Sequence, residues 1–346
     1  MSSTKPLDLN VSVPVPLGDS KQPDAVHLFN EGSVLAINAA LMANRPLLVR
    51  GEPGAGKSQL ARAAAHVLER EFVHTTLTIR TEIQDLFWQL DAVKRLAEAQ
   101  LVGAVVAAAD YASAEASKVV EERLAVGNFV EPGPLWWAFD WSTAKTQYER
   151  AHPTLADELR TPKNNRGVVV LLDEIDKADS AVPNGLLEAL GNRAFPGPGE
   201  VSRIQQNPSL PPPLVVITTN EERTLPNAFL RRCLVLHLAL PEPRDKLCEY
   251  LMTRGRAHFT RCLPEGVLAP SETLLETAAD MLFDDRDACR TPPRPGQAEY
   301  LDLLRAVCRL EPTNEEARLG LLKDVRPLTF AKYQGGSASS RASQAE

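Results

Sequence analysis

The residues Gly51-Glu52-Pro53-Gly54-Ala55-Gly56-Lys57-Ser58 fit the spacing G-x-x-x-x-G-K-[ST], in which successive backbone N–H groups form a cradle for phosphates. Lys57 is placed to reach the β- and γ-phosphates of a nucleoside triphosphate, and the Ser58 hydroxyl to hold Mg²⁺. Both flanks give the spacing mechanical sense. Pro46-Leu47-Leu48-Val49-Arg50 reads as a short buried parallel strand. Leu60, Ala64, Val67 and Leu68 then recur at helical spacing, so a helix aims its positive end at the loop. A glycine-rich turn that merely ends in Lys-Ser has no need of either flank.

Hydrolysis needs carboxylates as well as a cradle. After Arg166-Gly167, the run Val168-Val169-Val170-Leu171-Leu172 leads into Asp173-Glu174. Such a run reads as a central strand buried on both faces, and ligands gather at the carboxyl ends of strands in open α/β sheets. Asp173 suits the Mg²⁺ shell, and Glu174, pointing differently, suits polarising the attacking water. A third strand, Leu214-Val215-Val216-Ile217, ends in Thr218-Thr219-Asn220. An uncharged amide there orients water without competing for metal; otherwise Asn220 only caps a turn. Arg231 and Arg232 follow, just before Cys233 and the strand-like run from Leu234 to Leu238. Two arginines in that place are either a solvated face or charge stabilisers for a transferring phosphoryl group.

The order of these elements resembles that of AAA+ ATPases, most closely the MoxR-like group, from about residue 28 to about residue 310. The resemblance implies an α/β fold: a P-loop NTPase parallel sheet flanked by helices, the AAA+ core, with a small C-terminal α-helical lid. It makes Gly51–Ser58 the Walker A motif and Val168–Glu174 the Walker B motif. The implied ligands of ATP are Gly51, Glu52, Pro53, Gly54, Ala55, Gly56, Lys57, Ser58, Gln59 and Asp173, with Ser58 and Asp173 on Mg²⁺. Glu174 becomes the catalytic base, Asn220 the sensor 1 residue and Arg232 the arginine finger that reaches a neighbouring subunit. Relatives often carry an acidic residue before that arginine, whereas this chain has Arg231, the second candidate for the role. In Thr291-Pro292-Pro293-Arg294-Pro295, Arg294 takes the sensor 2 position, with prolines denser than the family pattern.

Composition limits the alternatives. The chain has 346 residues, enough for two domains, and 44% hydrophobic with 24% charged residues is ordinary globular usage. It contains no 18-residue apolar run that would span a membrane. Cys233, Cys248, Cys262, Cys289 and Cys308 form no C-x-x-C pair and read as core thiols in a reducing, cytoplasmic setting. A net charge of −7 and the lack of a long basic run disfavour nucleic acid as a partner.

Four segments are expected. Residues 1–27 read as a flexible polar lead-in, 28–242 as the nucleotide-binding core, 243–325 as the helical lid and 326–346 as a disordered tail. An insertion at about 92–165 widens the gap between the two Walker motifs, and Val93 to about Gly127 within it is expected to be helical. Gly133-Pro134-Leu135 matches a MoxR-like element, while Trp136, Trp137 and Trp141 either pack an inserted helix or anchor a partner. Ala194–Pro213, dense in Pro and Gly, reads as a hairpin or loop, and Thr81–Leu86 as the start of a family insert. Three helices and one shorter one are expected after Pro243.

The resulting reading is an ATP-hydrolysing, ring-forming, chaperone-like remodeller of a protein. Its implied partners are further copies of itself, as a hexamer, and a von Willebrand factor A-type protein. The competing readings are a nucleic-acid-directed motor on the same core and a nucleotide-dependent scaffold. The presence of both Glu174 and Arg232 weighs against a scaffold.

Overall fold

The computed structural model describes residues 13–18, 23–108, 114–153, 166–199, 201, 203–289 and 293–330. Its elements are β1 (Val15–Gly18), β2 (Pro23–His27), α1 (Glu31–Ala43), β3 (Leu47–Arg50), α2 (Lys57–Leu68) and β4 (Glu71–Thr76). Next come β5 (Trp88–Leu90), α3 (Ala92–Ala108), α4 (Ala114–Arg123), β6 (Val130–Pro132), α5 (Pro134–Phe139) and α6 (Trp141–Ala151). Then follow β7 (Val168–Asp173), α7 (Ala181–Asn192), β8 (Ala194–Pro196), β9 (Arg203–Gln205), β10 (Leu214–Thr219), α8 (Asn227–Leu230) and β11 (Leu234–His237). The helices α9 (Arg244–Arg261), α10 (Glu272–Ala288), α11 (Gln297–Leu310) and α12 (Glu315–Thr329) complete the described chain.

The central sheet has the order β11-β3-β10-β7-β4, and every pairing in it is parallel. Its three central strands, β3, β10 and β7, are buried and largely apolar because helices cover both faces. Val168, Val170 and Leu172 join one core with Leu135, Trp136 and Leu186. Val169 and Leu171 face the other way, into a core shared with Ile37, Leu60 and Ala64. The last four helices enclose a third core around Leu251, Leu275, Tyr300 and Leu304.

The expected lead-in needs correction. Residues 15–18 and 23–27 pair as an antiparallel hairpin, and Val15 and Leu17 are buried against the face that holds Ile37 and Leu60. Val11, Val13, Val15 and Leu17 alternate in the sequence, but Pro14 and Pro16 stand between them and argue against a strand when read in isolation. The boundary of the tail also moves: α12 continues to Thr329 through Pro327, and Phe330 is buried. The remainder of the tail, 331–346, lies outside the described residues.

Within the 92–165 segment, α3 and α4 are helical, while β6 pairs with β5, and Val130, Leu135, Trp136 and Phe139 enter the main core. The Trp136 indole donates to the Thr143 hydroxyl at 3.0 Å, and Trp137 packs on Trp141 with centroids 4.8 Å apart. Packing therefore accounts for the tryptophan cluster. β8 and β9 pair antiparallel, Phe195 opposite Ile204, with residues 200 and 202 between them outside the described residues, and Thr81–Leu86 leads into a short 3-10 turn ahead of β5. Among the described residues no helix is long and apolar enough to cross a membrane.

Candidate active site

Strand register assembles the site. Thr219 pairs with Arg50 and Ile217 with Leu172, so the carboxyl ends of β3, β7 and β10 finish side by side. The loop 51–56, the Asp173-Glu174 pair and Asn220 must then share one edge of the sheet. Gly56 takes φ 86°, open to glycine at little cost, and leads into α2 without any side chain capping its first N–H groups. Those N–H groups remain available to an anion.

Lys57 is buried to 7% exposure, and its ammonium donates to the carbonyls of Gly51 at 2.8 Å and Glu52 at 3.0 Å and to Asn220 Oδ1 at 2.6 Å. Burial lowers its pKa from the usual lysine value, against the opposing pull of Asp173, Asp176, Glu174 and Glu221. The Ser58 hydroxyl donates to the Asp173 carboxylate at 2.8 and 3.0 Å from its two oxygens. Two hard oxygen donors meeting in this way fit the inner shell of Mg²⁺, which takes few protein ligands and keeps its other positions for water and phosphate.

Glu174 has φ 62°, a left-handed conformation that costs a non-glycine residue roughly 1–3 kcal/mol. Asn220 Nδ2 donates to its Oε1 at 3.3 Å and Lys177 Nζ to its Oε2 at 2.8 Å. Lys57, Ser58, Asp173, Glu174 and Asn220 therefore line a single cavity of about 390 Å³, together with Pro53, Gly54, Gly56 and Gln59 of the loop. Gly51 and Glu52 line a neighbouring cavity, and Ala55 sits beside a third.

Three arginines singled out in the sequence lie away from this cavity. Arg231 and Arg232 are exposed at the opposite end of the sheet, since Leu234 pairs with Leu47, the first residue of β3. A four-residue strand stands between them and the loop, on the order of 10 Å of extended chain. Arg45 grips both of their carbonyls: Nε donates to Arg232 O at 3.1 Å, and Nη2 donates to Arg231 O. Arg294 is also exposed and lines the cavity of Gly51, Glu52 and Arg286, not the one that contains Lys57 and Ser58. The reason is helical phase. Pro295 and Gly296 separate Arg294 from α11, so it shares none of the faces that the helix turns to the loop. Thr291 and Pro292 of the expected motif lie outside the described residues.

Sequence reasoning passed over Thr218. Its hydroxyl donates to Asp173 Oδ1 and accepts the Glu174 N–H at 2.9 Å, at 0% exposure. Thr218→Val keeps the shape, strands the Glu174 N–H and leaves the Asp173 carboxylate with Ser58 as its remaining hydroxyl donor. Unfolding stability should therefore fall by about 1–3 kcal/mol, with Thr218→Ser recovering most of the loss. Urea unfolding of the three proteins checks this, and an unchanged midpoint in the valine variant would remove Thr218 from the site's framework. Arg286 was also missed: it bonds Glu52 at 2.5 Å and Pro295 O at 3.0 Å, tying the helical region to the phosphate loop.

Fold and site together define a P-loop AAA+ architecture: a parallel five-stranded sheet flanked by helices, followed by a helical C-terminal region. The chain belongs to the AAA domain family, dynein-related subfamily, whose model matches residues 46–233. Among solved structures, a mutant RuvB from Thermotoga maritima is similar at 16% identity over 88% of this chain and 74% of that chain, with a TM-score of 0.45. The same organism's RuvB Holliday junction branch migration motor matches at 16% identity over 85% and 67%, with a TM-score of 0.41.

Proposed function

We propose that the chain is an ATP-hydrolysing member of this family that works as a ring and belongs to its MoxR-like group. The supporting observation is the convergence of Lys57, Ser58, Asp173, Glu174 and Asn220 on one cavity. In this reading Gly51–Gln59 and Lys57 hold the phosphates, Ser58 and Asp173 hold Mg²⁺, and Asn220 orients a water that Glu174 activates. Held by Ser58 and Asp173, Mg²⁺ would offset the negative charge of the phosphates. Arg232 serves a neighbour's nucleotide, because its own lies beyond the opposite end of the sheet. The Gly133-Pro134-Leu135 element, with Pro134 opening α5, supports the MoxR-like assignment, while the β8–β9 pair resembles the hairpin that many AAA+ relatives carry at this place. A protein substrate, with a von Willebrand factor A-type partner, follows from that assignment.

Coupling follows from the nucleotide's position between sheet edge and helical region. Binding fixes their relative angle, hydrolysis releases it, and a ring transmits the movement to whatever it grips. Lys57→Ala removes the mobile cation aimed at the terminal phosphates and should reduce affinity for a labelled ATP analogue below detection. Normal affinity in that variant would undo the phosphate-loop assignment. Hydrolysis by the parental protein is then compared with and without duplex DNA at moderate salt. Unchanged turnover fits a protein-directed machine, and strong DNA stimulation favours the nucleic-acid motor instead.

A further inference from the structure

A carboxylate in a phosphate-binding loop repels the ligand unless it is turned elsewhere. Glu52 lines a cavity of about 550 Å³, apart from the one that contains Lys57 and Ser58. Its side chain meets the lid there. Arg286 of α10, largely buried, donates from Nη2 to Glu52 Oε2 at 2.5 Å and from Nη1 to the Pro295 carbonyl at 3.0 Å. The first of these bonds joins residues 234 positions apart. The Glu52 carbonyl meanwhile accepts from Lys57 Nζ at 3.0 Å and from the Ala55 N–H at 3.3 Å. One loop residue is thus gripped by the lid through its side chain and by the core through its backbone.

We propose that the Arg286–Glu52 pair is a latch that holds the lid on the phosphate loop and sets how fast nucleotide leaves; this rests on the ATP-binding reading above. Arg286 acts as a positioning residue and touches no ligand itself. Its place in the lid gives the bond leverage. The same guanidinium that reaches Glu52 holds the Pro295 carbonyl, just ahead of α11. The start of α11 lies directly on the loop: a Cβ on Gly54 would be 3.0 Å from the Ala298 methyl, and one on Gly296 would be 3.8 Å from the Pro53 carbonyl. Glu299 in the first turn accepts the Gly296 N–H at 3.0 Å and stiffens that entry. Arg286 and Pro295 both belong to the lid, so lifting α11 from the loop breaks the bond to Glu52.

Charge supplies the second argument. Glu221, Glu242 and Asp287 line the same cavity as Glu52, against the two cations Arg286 and Arg294. Arg50 pairs with Glu221. Without Arg286, Glu52 on the core wall and Asp287 on the lid wall would share the cavity with the exposed Arg294 alone. Like charges on the two walls repel, so losing Arg286 replaces an attraction between core and lid with a repulsion. Release from a closed cleft passes through an opened one, and a weaker closed state therefore shows mainly in the dissociation rate.

The rate of release, not turnover, is the test. ADP carrying a fluorescent label on its ribose is bound with Mg²⁺ and then chased with excess unlabelled ADP in stopped flow. Arg286→Gln and Glu52→Gln should each speed release by about tenfold or more, the usual worth of a charge-assisted bond, with association within about twofold. Arg286→Lys keeps the charge, loses the fork and should fall between them and the parental rate. The Glu52→Gln, Arg286→Gln double variant should release about as fast as either single, because both changes remove one interaction. Arg256→Gln, which breaks an exposed ion pair with Glu272 within the lid, should leave release unchanged. If Arg286→Gln fails to fold, Glu52→Gln reads the same pair from the loop side, since its backbone carbonyl is retained. Parental release in Glu52→Gln, or effects that multiply in the double variant, overturns the latch while leaving the functional reading in place. A parental protein that does not bind the labelled ADP overturns both.

Discussion

Glu174→Gln should bind nucleotide as the parental protein does and turn it over about 10²–10⁴-fold more slowly, the usual worth of a positioned general base. The two halves of this expectation have separate physical causes. Binding rests on Lys57 and on the Ser58–Asp173 contact at 2.8 to 3.0 Å, none of which involves the Glu174 side chain. The left-handed backbone at φ 62° and the N–H bond to Thr218 are backbone features that glutamine inherits. Its amide oxygen can still accept from Asn220, so the geometry around the water persists. What is lost is the basic carboxylate that takes the water's proton. Equilibrium binding and steady-state hydrolysis, measured on one preparation, separate the two. Turnover near the parental rate would mean that another group activates the water.

Residues whose chemistry is carried by type and short spacing were legible in the sequence. The phosphate loop, Asp173-Glu174 and Asn220 each end an apolar run, and strand ends gather at one edge of a parallel sheet. Thr218 and Lys177 were not legible, because their roles arise from register and from bonds absent in a linear pattern. Thr218 reaches Glu174 across 44 positions only because β10 and β7 pair as they do. Arg294 lines a different cavity for a related reason. Prolines and an arginine before a helix match the motif, but the phase of α11 decides which side chain meets the cavity, and it selects positions 297, 298, 301, 302 and 305. The early hairpin was masked by proline, since Pro14 and Pro16 interrupt the alternation of Val11, Val13, Val15 and Leu17 and count against a strand.

Arg232→Ala should leave nucleotide affinity nearly unchanged and reduce hydrolysis steeply, on the order of 10³–10⁵-fold if it acts as arginine fingers do elsewhere. The argument is geometric. Arg232 is exposed at the amino ends of the strands, while the cavity of Lys57 and Glu174 opens at their carboxyl ends. It can therefore meet a triphosphate only across a boundary between copies. Arg45, by gripping the carbonyls of Arg231 and Arg232, fixes the backbone from which the Arg232 side chain projects. Action in trans has a signature that a folding defect lacks. Glu174→Gln subunits carry an intact Arg232, and Arg232→Ala subunits carry an intact Glu174, so mixed assemblies should regain some complete sites. Parental specific activity should also rise with protein concentration as copies associate. Hydrolysis is measured for each variant, for the mixture and along a dilution series, with co-assembly verified by size. Recovery on mixing supports a shared site. Co-assembly without recovery would put Arg232 outside catalysis and transfer the role to Arg231, its exposed neighbour, which Arg45 holds by the same grip.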